Sequence, residues 1–521
     1  MVGNAMNIKR SAAWVTCWRE RLRGCSLRSD KCRTIGISSV FLILFVSSPS
    51  PRVFSADGLE PSESAGAVLE MTLAESILLA LSNNRNLINA RLGREIQKLS
   101  LEFAEDKFWP NMNITPHIDY SVTGSSGDQE RTSSGVTTGV TLIVPTGGQF
   151  SATSRNTVDS VLDEKHRALL TLSFRQPLLK GGGIAVNTAS LEFARRAEEA
   201  SIMALRAVVM SAITQVINTY RRYMQAHQRL EISARSLERA REQLEVNRLL
   251  IEAGRMAERD IVQTETDIAS RELGVTEAEN SLDAARLSLI DVLDIDELTR
   301  IIPTEALVAN PVDPDTLDLE RSVELALRSR PDYMRALLRI EDAETELVLA
   351  RNNRLWDLSA SVTADFGGSG DSFQPFRSVG GGDYQVGLEL NIPFGDLTLR
   401  HRHVIARTAL SQARNDLAEL RQRVEIAVRN GVREVEVRYR QVGLARRTRE
   451  LSEQQFEVEK EKLKLGLSTN FQVSNYEEDL VRARNAEVDS VIAYLNALTS
   501  LDQTLGTTLE TWRVDIKEMG G

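Results

Sequence analysis

The sequence predicts a mainly α-helical fold with a membrane-type β portion, built as two tandem copies of one plan. Three observations predict it. The chain repeats itself, short stretches of alternating polar and apolar residues sit between very long helical ones, and glycine-marked breaks recur at corresponding places in both copies. At 521 residues the chain is also too long for one ordinary core of about 100 to 200 residues.

The elements follow in order. Residues 1–56 read as a signal peptide: a basic segment precedes the apolar run IGISSVFLILFV, and Ser55 and Ala56 offer small residues for cleavage. That run is short for a membrane helix of about 20 residues. Cleavage would remove a segment of charge +7 from a chain of charge −10, leaving −17, which argues against nucleic acid as a partner. Cys17, Cys25 and Cys32, the only cysteines, lie in the same segment, so the mature chain has no disulfide or thiolate chemistry.

Residues 57–70 read as a linker and 71–310 as the first repeat. The stretch MTLAESILLALSNNRNLINARLGREIQKLSLEFA from Met71 matches LDLERSVELALRSRPDYMRALLRIEDAETELVLA from Leu317, with identities such as Leu73/Leu319, Ala80/Ala326 and Ala104/Ala350. The second repeat spans 311–506, opened by the proline-marked, acidic NPVDPDTLDLE, and 507–521 form a tail. Each repeat should hold two helices, then strands (112–176 and 358–392), then a long helical hairpin (184–297 and 396–506).

The strands carry the strongest signal. Met112, Ile114, Ile118, Tyr120 and Val122 alternate with Asn113, Thr115, His117, Asp119 and Ser121, and Tyr384, Val386, Leu388, Leu390 and Ile392 keep the same spacing. An outer-membrane barrel shows this pattern, and so does a soluble sandwich. The export signal and the long flanking helices favour the barrel. The chain offers four to six strands, whereas a closed barrel needs about eight or more, so other copies must complete it.

From Ile184 to about Asn247 no proline interrupts a helical apolar spacing, and AGRMAERDIV then turns the chain back. The second repeat turns at LGLSTNFQVSNYEEDL. Between strand and helix lies QPLLKGGGIAVN. It is no phosphate loop, because Lys180 precedes Gly181, Gly182 and Gly183, and Val186 occupies the third glycine position of a dinucleotide fingerprint. A joint between a tilted strand and a helix fits better, with Pro177 beside it and Pro393 and Gly395 at the corresponding place in the second repeat. His401 and His403 point apart on a helix and His227 stands among arginines, so no metal or cofactor site and no catalytic constellation is expected.

Signal peptide, tandem duplication, QPLLKGGGIAVNTA before a long helix, and hairpins turning at AGRMAERDIV and LGLSTNFQVSNYEEDL together resemble the TolC-type outer-membrane efflux protein family. The resemblance covers residues from about 70 to 506. It implies a trimeric TolC-like fold: a shared twelve-stranded barrel in the outer membrane, and a periplasmic α-helical barrel closed at its tip. It implies a passive exit duct for a tripartite efflux pump or type I secretion system. The implied partners are a periplasmic adaptor protein, an inner-membrane transporter and outer-membrane lipid. Adaptor docking would fall on the turns at Gly254 and Arg255 and at Gly466, Leu467 and Ser468.

The sequence departs from the family in places. Residues 144–158 add strand material, read as a further hairpin near the outer surface. At the tip the acidic positions implied by the family fall on Asp260, which is acidic, and on Gln472 and Asn475, which are neutral. A tyrosine–arginine latch would fall on Leu463 and Ser468. The rival readings are a structural periplasmic coiled-coil or fibre protein, which leaves the strands unexplained, and an exported enzyme, for which no site is visible.

Overall fold

The computed structural model of the chain describes residues 68–123, 129–159, 166–254, 257–305, 318–370 and 382–515. The expected signal peptide, most of both linkers and Arg255 lie outside the described residues.

The duplication is visible element by element. In the first copy α1 (Leu73–Asn83) and α2 (Arg85–Asp106) follow a short strand, β1 (Val68–Met71); the second copy has α6 (Leu319–Ser329) and α7 (Pro331–Asn352). The paired helices have equal lengths, 11 and 22 residues. Local chemistry fixes their starts. Thr72 and Glu75 form a reciprocal capping box on α1, the Asp318 side chain caps α6, and Pro331 sits in the first turn of α7, where its missing N–H is harmless.

The long helices are α4 (Ala189–Glu252) with α5 (Ile261–Leu293), and α8 (Leu397–Lys464) with α9 (Asn470–Leu505); one turn, α3 (Ile184–Asn187), leads into α4. With 64 and 68 residues, α4 and α8 are rods of roughly 100 Å at about 1.5 Å per residue. The main core packs Leu205, Val209, Ile213 and Ile217 of α4 against Ile77 and Leu81 of α1 and Leu289 and Leu293 of α5. Tyr220 and Tyr223 donate to the carbonyls of Met71 and Ile301 at 3.0 and 2.5 Å, anchoring β1 and its parallel partner β6 (Arg300–Pro303) on α4. In the second copy Val424, Val428, Val432 and Val435 of α8 pack with Ala326 and Tyr494.

Six strands form one antiparallel sheet: β2 (Asn111–Thr123), β3 (Gln129–Ile143), β4 (Gln149–Asp159), β5 (His166–Pro177), β7 (Asp357–Gly370) and β8 (Asp383–Asn391), paired in that order. The register puts Met112, Val140, Ala152, Leu172, Ala364 and Tyr384 on one face. Asn113, Gly139, Thr153, Thr171, Asp365 and Asp383 fall on the other, where Thr171 donates to Asp365 at 2.6 Å and Arg131 pairs with Asp159. One face is therefore fit for lipid and the other for water.

One expectation is corrected by the pairing. The added strand material is not a hairpin at the outer surface. The turn at 144–148 joins β3 to β4 at the end of the sheet nearest the helices, where the Gly183 N–H donates to the Thr146 carbonyl at 3.1 Å. Among the described residues the first repeat contributes four strands and the second two, the upper end of the four to six expected.

Candidate functional site: the strand-to-helix joint and the hairpin tips

At the joint, β5 ends at Pro177 and the chain must turn into α3 within six residues. Gly181 and Gly183 adopt φ of +78° and +100°, conformations that L side chains resist. Gly182 is needed for a different reason: a Cβ there would lie 2.8 Å from the Pro177 carbonyl. Side-chain amides tie the turn down. The Gly181 N–H donates to Asn352 Oδ1 at 2.7 Å, and Asn187 Nδ2 donates to the carbonyls of Gly181 and Gly183 at 2.8 and 2.9 Å. Gln176 Nε2 reaches the Thr146 carbonyl at 3.2 Å. No role for Thr146, Gln176, Asn187 or Asn352 was legible in the sequence, because a lone carbonyl or amide carries no signal until the fold brings it to a turn.

The second joint is plainer. Pro393 is exposed, Gly395 has φ +74°, and the Asp396 side chain caps α8 through the Thr398 N–H at 2.8 Å. Exposed aromatics flank the helix-side ends of three strands: Trp109 before β2, Trp356 before β7 and Phe394 after β8. Outer-membrane barrels carry such a girdle at the lipid–water interface.

Both hairpins turn through a left-handed glycine, Gly254 at φ +68° and Gly466 at +75°. The second closes with the Gly466 N–H on the Leu463 carbonyl and the Leu467 N–H on the Lys462 carbonyl, at 3.0 and 2.9 Å, the two bonds of a Schellman cap. Leu467 is exposed, and Ser468 donates to Glu459 Oε1 at 2.6 Å. That bond and Lys462 hold the Glu459 carboxyl below its usual range.

The three tip candidates separate. Asp260 ends a 3-10 turn (Glu258–Asp260); its side chain lies outside the described residues. Gln472 folds back on its own helix start in a capping box with Thr469, while Asn475, one turn on, is exposed. Leu463 packs with Phe456, Val473 and Leu480, so the position of the implied tyrosine is part of an apolar cluster.

Above the tips the two hairpins are held together by polar bonds. Glu477 of α9, 7 % exposed, lies 2.9 Å from Arg239 of α4 and 3.2 Å from Arg271 of α5. Further along, Asp489 accepts from Gln225 and Arg229 at 2.7 Å each, and Arg221 reaches Thr499 at 2.8 Å. Burial lowers the Arg221 pKa to about 10. Among the described residues no cluster of His, Cys, Asp and Glu could hold a metal ion.

The sequence model of the family described as outer membrane efflux protein matches residues 77–293 and 322–507. No curated protein matches the chain by sequence. Several solved structures share its fold. The CmeC outer membrane channel of Campylobacter jejuni has a TM-score of 0.64 at 16 % identity, over 86 % of this chain and 89 % of that one. The MtrE outer membrane channel of Neisseria gonorrhoeae, in its open state, gives 0.61 at 20 % identity, over 84 % and 89 %. VceC, an outer membrane protein of Vibrio cholerae, gives 0.63 at 16 % identity, over 83 % and 96 %.

Proposed function

Because the chain belongs to the outer membrane efflux protein family, we infer that it is the outer-membrane exit duct of an efflux or secretion system, a passive channel that works as a trimer. One observation carries the inference: among the described residues every layer is open at both lateral edges, and the open edges complement one another.

In the sheet the edge strands are β2 and β8. Nearest the sheet the helices lie in the order α2, α4, α7, α8, and toward the tips in the order α5, α4, α9, α8. One side of the chain is therefore β2 with α2 and α5, and the other is β8 with α8. Both sides bear unpartnered apolar residues at matching levels: near the sheet, Leu92, Ile96, Leu99 and Phe103 on α2 and Val404 and Ile405 on α8; toward the tips, Val262 and Leu273 on α5 and Val437, Leu444, Leu451 and Val458 at seven-residue spacing on α8. A seven-residue repeat is a coiled-coil seam, which needs a second helix. An open edge in lipid is equally costly, so one side of a copy should seat on the other side of the next until a ring closes.

The resulting cylinder has a lipid-facing sheet in the outer membrane and a helical tunnel reaching through the periplasm. The turns at Gly254 and at Gly466, Leu467 and Ser468 are the surfaces offered to a periplasmic adaptor and, through it, to an inner-membrane transporter; Arg255, the other docking candidate, lies outside the described residues. A periplasmic fibre would use the helices but not the amphipathic sheet.

The test is fractionation followed by conductance. The protein should sediment with outer membranes, require detergent for extraction, and give discrete channels in a planar bilayer. Recovery in the soluble fraction after lysis would refute the reading.

A further inference from the structure

We propose that three copies of this chain close a single eighteen-stranded barrel, whose mouth in the outer membrane is as wide as the helical ring it continues into. The proposal rests on the trimeric reading above and adds the role of β3 and β4.

These strands are structural members of the sheet. β3 pairs with β2 along Asn111–Thr123 and with β4 along Gln149–Asp159, and β4 pairs with β5, so β2 and β5 are separated by two strands. The face pattern continues across them near the helices. Val140, Leu142, Phe150 and Ala152 share the face of Met112 and Phe174, while Thr137, Thr141, Ser151 and Thr153 share the polar one. The root of the added hairpin is built into the joint: Thr146 accepts from Gly183 and Gln176, and a Cβ on Gly147 would lie 2.5 Å from the Gly181 carbonyl. Gly135 and Gly139 fall on the polar face, where an added Cβ would sit 2.3 Å from the Asn156 carbonyl and 2.4 Å from the Asn113 side chain. Crowding on that side makes the polar face the concave one, which is the lumen.

Geometry then sets the width. An even number of strands leaves β8 of one copy antiparallel to β2 of the next, so closure needs no change of strand direction. Strands about 4.8 Å apart and tilted about 40° each take roughly 6 Å of circumference. Eighteen strands give roughly 110 Å, or about 36 Å between opposite backbones, and twelve would give about 24 Å. Beneath them, four helices per copy make a ring of twelve, which at about 9 Å per helix measures roughly 108 Å around. Six strands per copy match that ring.

The direct experiment is electron cryomicroscopy of the full chain in detergent or nanodiscs. Three copies with eighteen strands in cross-section are expected; three copies with twelve, and the 129–159 hairpin outside the barrel wall, would overturn the proposal while leaving the trimeric duct standing. A different copy number would overturn the trimeric reading and this proposal with it. A second measurement compares the unmodified protein with a variant lacking residues 129–159, using neutral polyethylene glycols added on the outer side of a planar bilayer. The unmodified mouth should admit polymers at least about one and a half times larger in radius, the ratio of the two backbone diameters of about 36 and 24 Å. Equal cut-offs would count against the wide barrel.

Discussion

Single residues decide two places in this chain, the joint and the tip. Gly183 sits at φ +100° and ψ 147°, a region that only glycine occupies freely. Gly183→Val should therefore cost roughly 1–3 kcal/mol of local strain, and the yield of detergent-stable assembly should fall; normal yield would remove the joint from the argument. At the tip, Gln472 completes a capping box that aspartate would shorten but glutamate would keep. The informative variant is thus Gln472→Glu with Asn475→Asp, which adds six carboxylates to a trimer at exposed positions. Only Asp260 stands as an acid at the family's tip positions, so a trivalent cation added on the tip side should block the unmodified channel weakly and the variant strongly. Unchanged block would show that these residues do not line the constriction. Glu459 supplies a pH test. Its folded pKa is depressed, so its contribution is fully present above the unfolded value of about 4.3 and is lost as pH falls through the lower folded one. The hydrogen-exchange protection factors of 463–469, corrected for the intrinsic pH dependence of exchange, should be steady from pH 7 to about 5 and fall only under stronger acid.

Among the elements, the helices were the most legible in the sequence. The equal pairs α1 with α2 and α6 with α7 were announced by the Leu73/Leu319 and Ala80/Ala326 matches, and both hairpin turns by their glycines. The sheet was legible as strands but not as an arrangement. Alternation reveals two faces, yet the direction in which the turn at Val144 and Gly148 points follows from pairing between distant residues. The contact between the hairpins was hidden too, since Glu477 is one glutamate among many until α4 and α5 bring Arg239 and Arg271 to it. Removing one member of a largely buried ion pair strands the others, so Glu477→Ala should destabilise by about 3 kcal/mol. Exposed neighbours on the same helix should be near neutral: Glu478→Ala is the control, and equal losses from both would demote the clamp to a surface contact.

In the whole molecule, the edges that a single chain leaves open are its defining property. Leu444 and Leu451 are exposed in one copy, at 69 % and 47 %, so charging them should leave the hairpin folded and separate the copies. The double substitution Leu444→Asp with Leu451→Asp should keep its helical circular dichroism and lose its trimer band. The same logic makes the lipid-facing sheet conditional on its neighbours, because β2 and β8 would otherwise present unpaired backbone to hydrocarbon. Fold and membrane placement are thus joined to assembly, and the measurement that tests this most directly is the mass of the unmodified protein extracted in detergent. Three copies per particle, with no folded single chain, is the expected result. A monodisperse, β-rich monomer would contradict it.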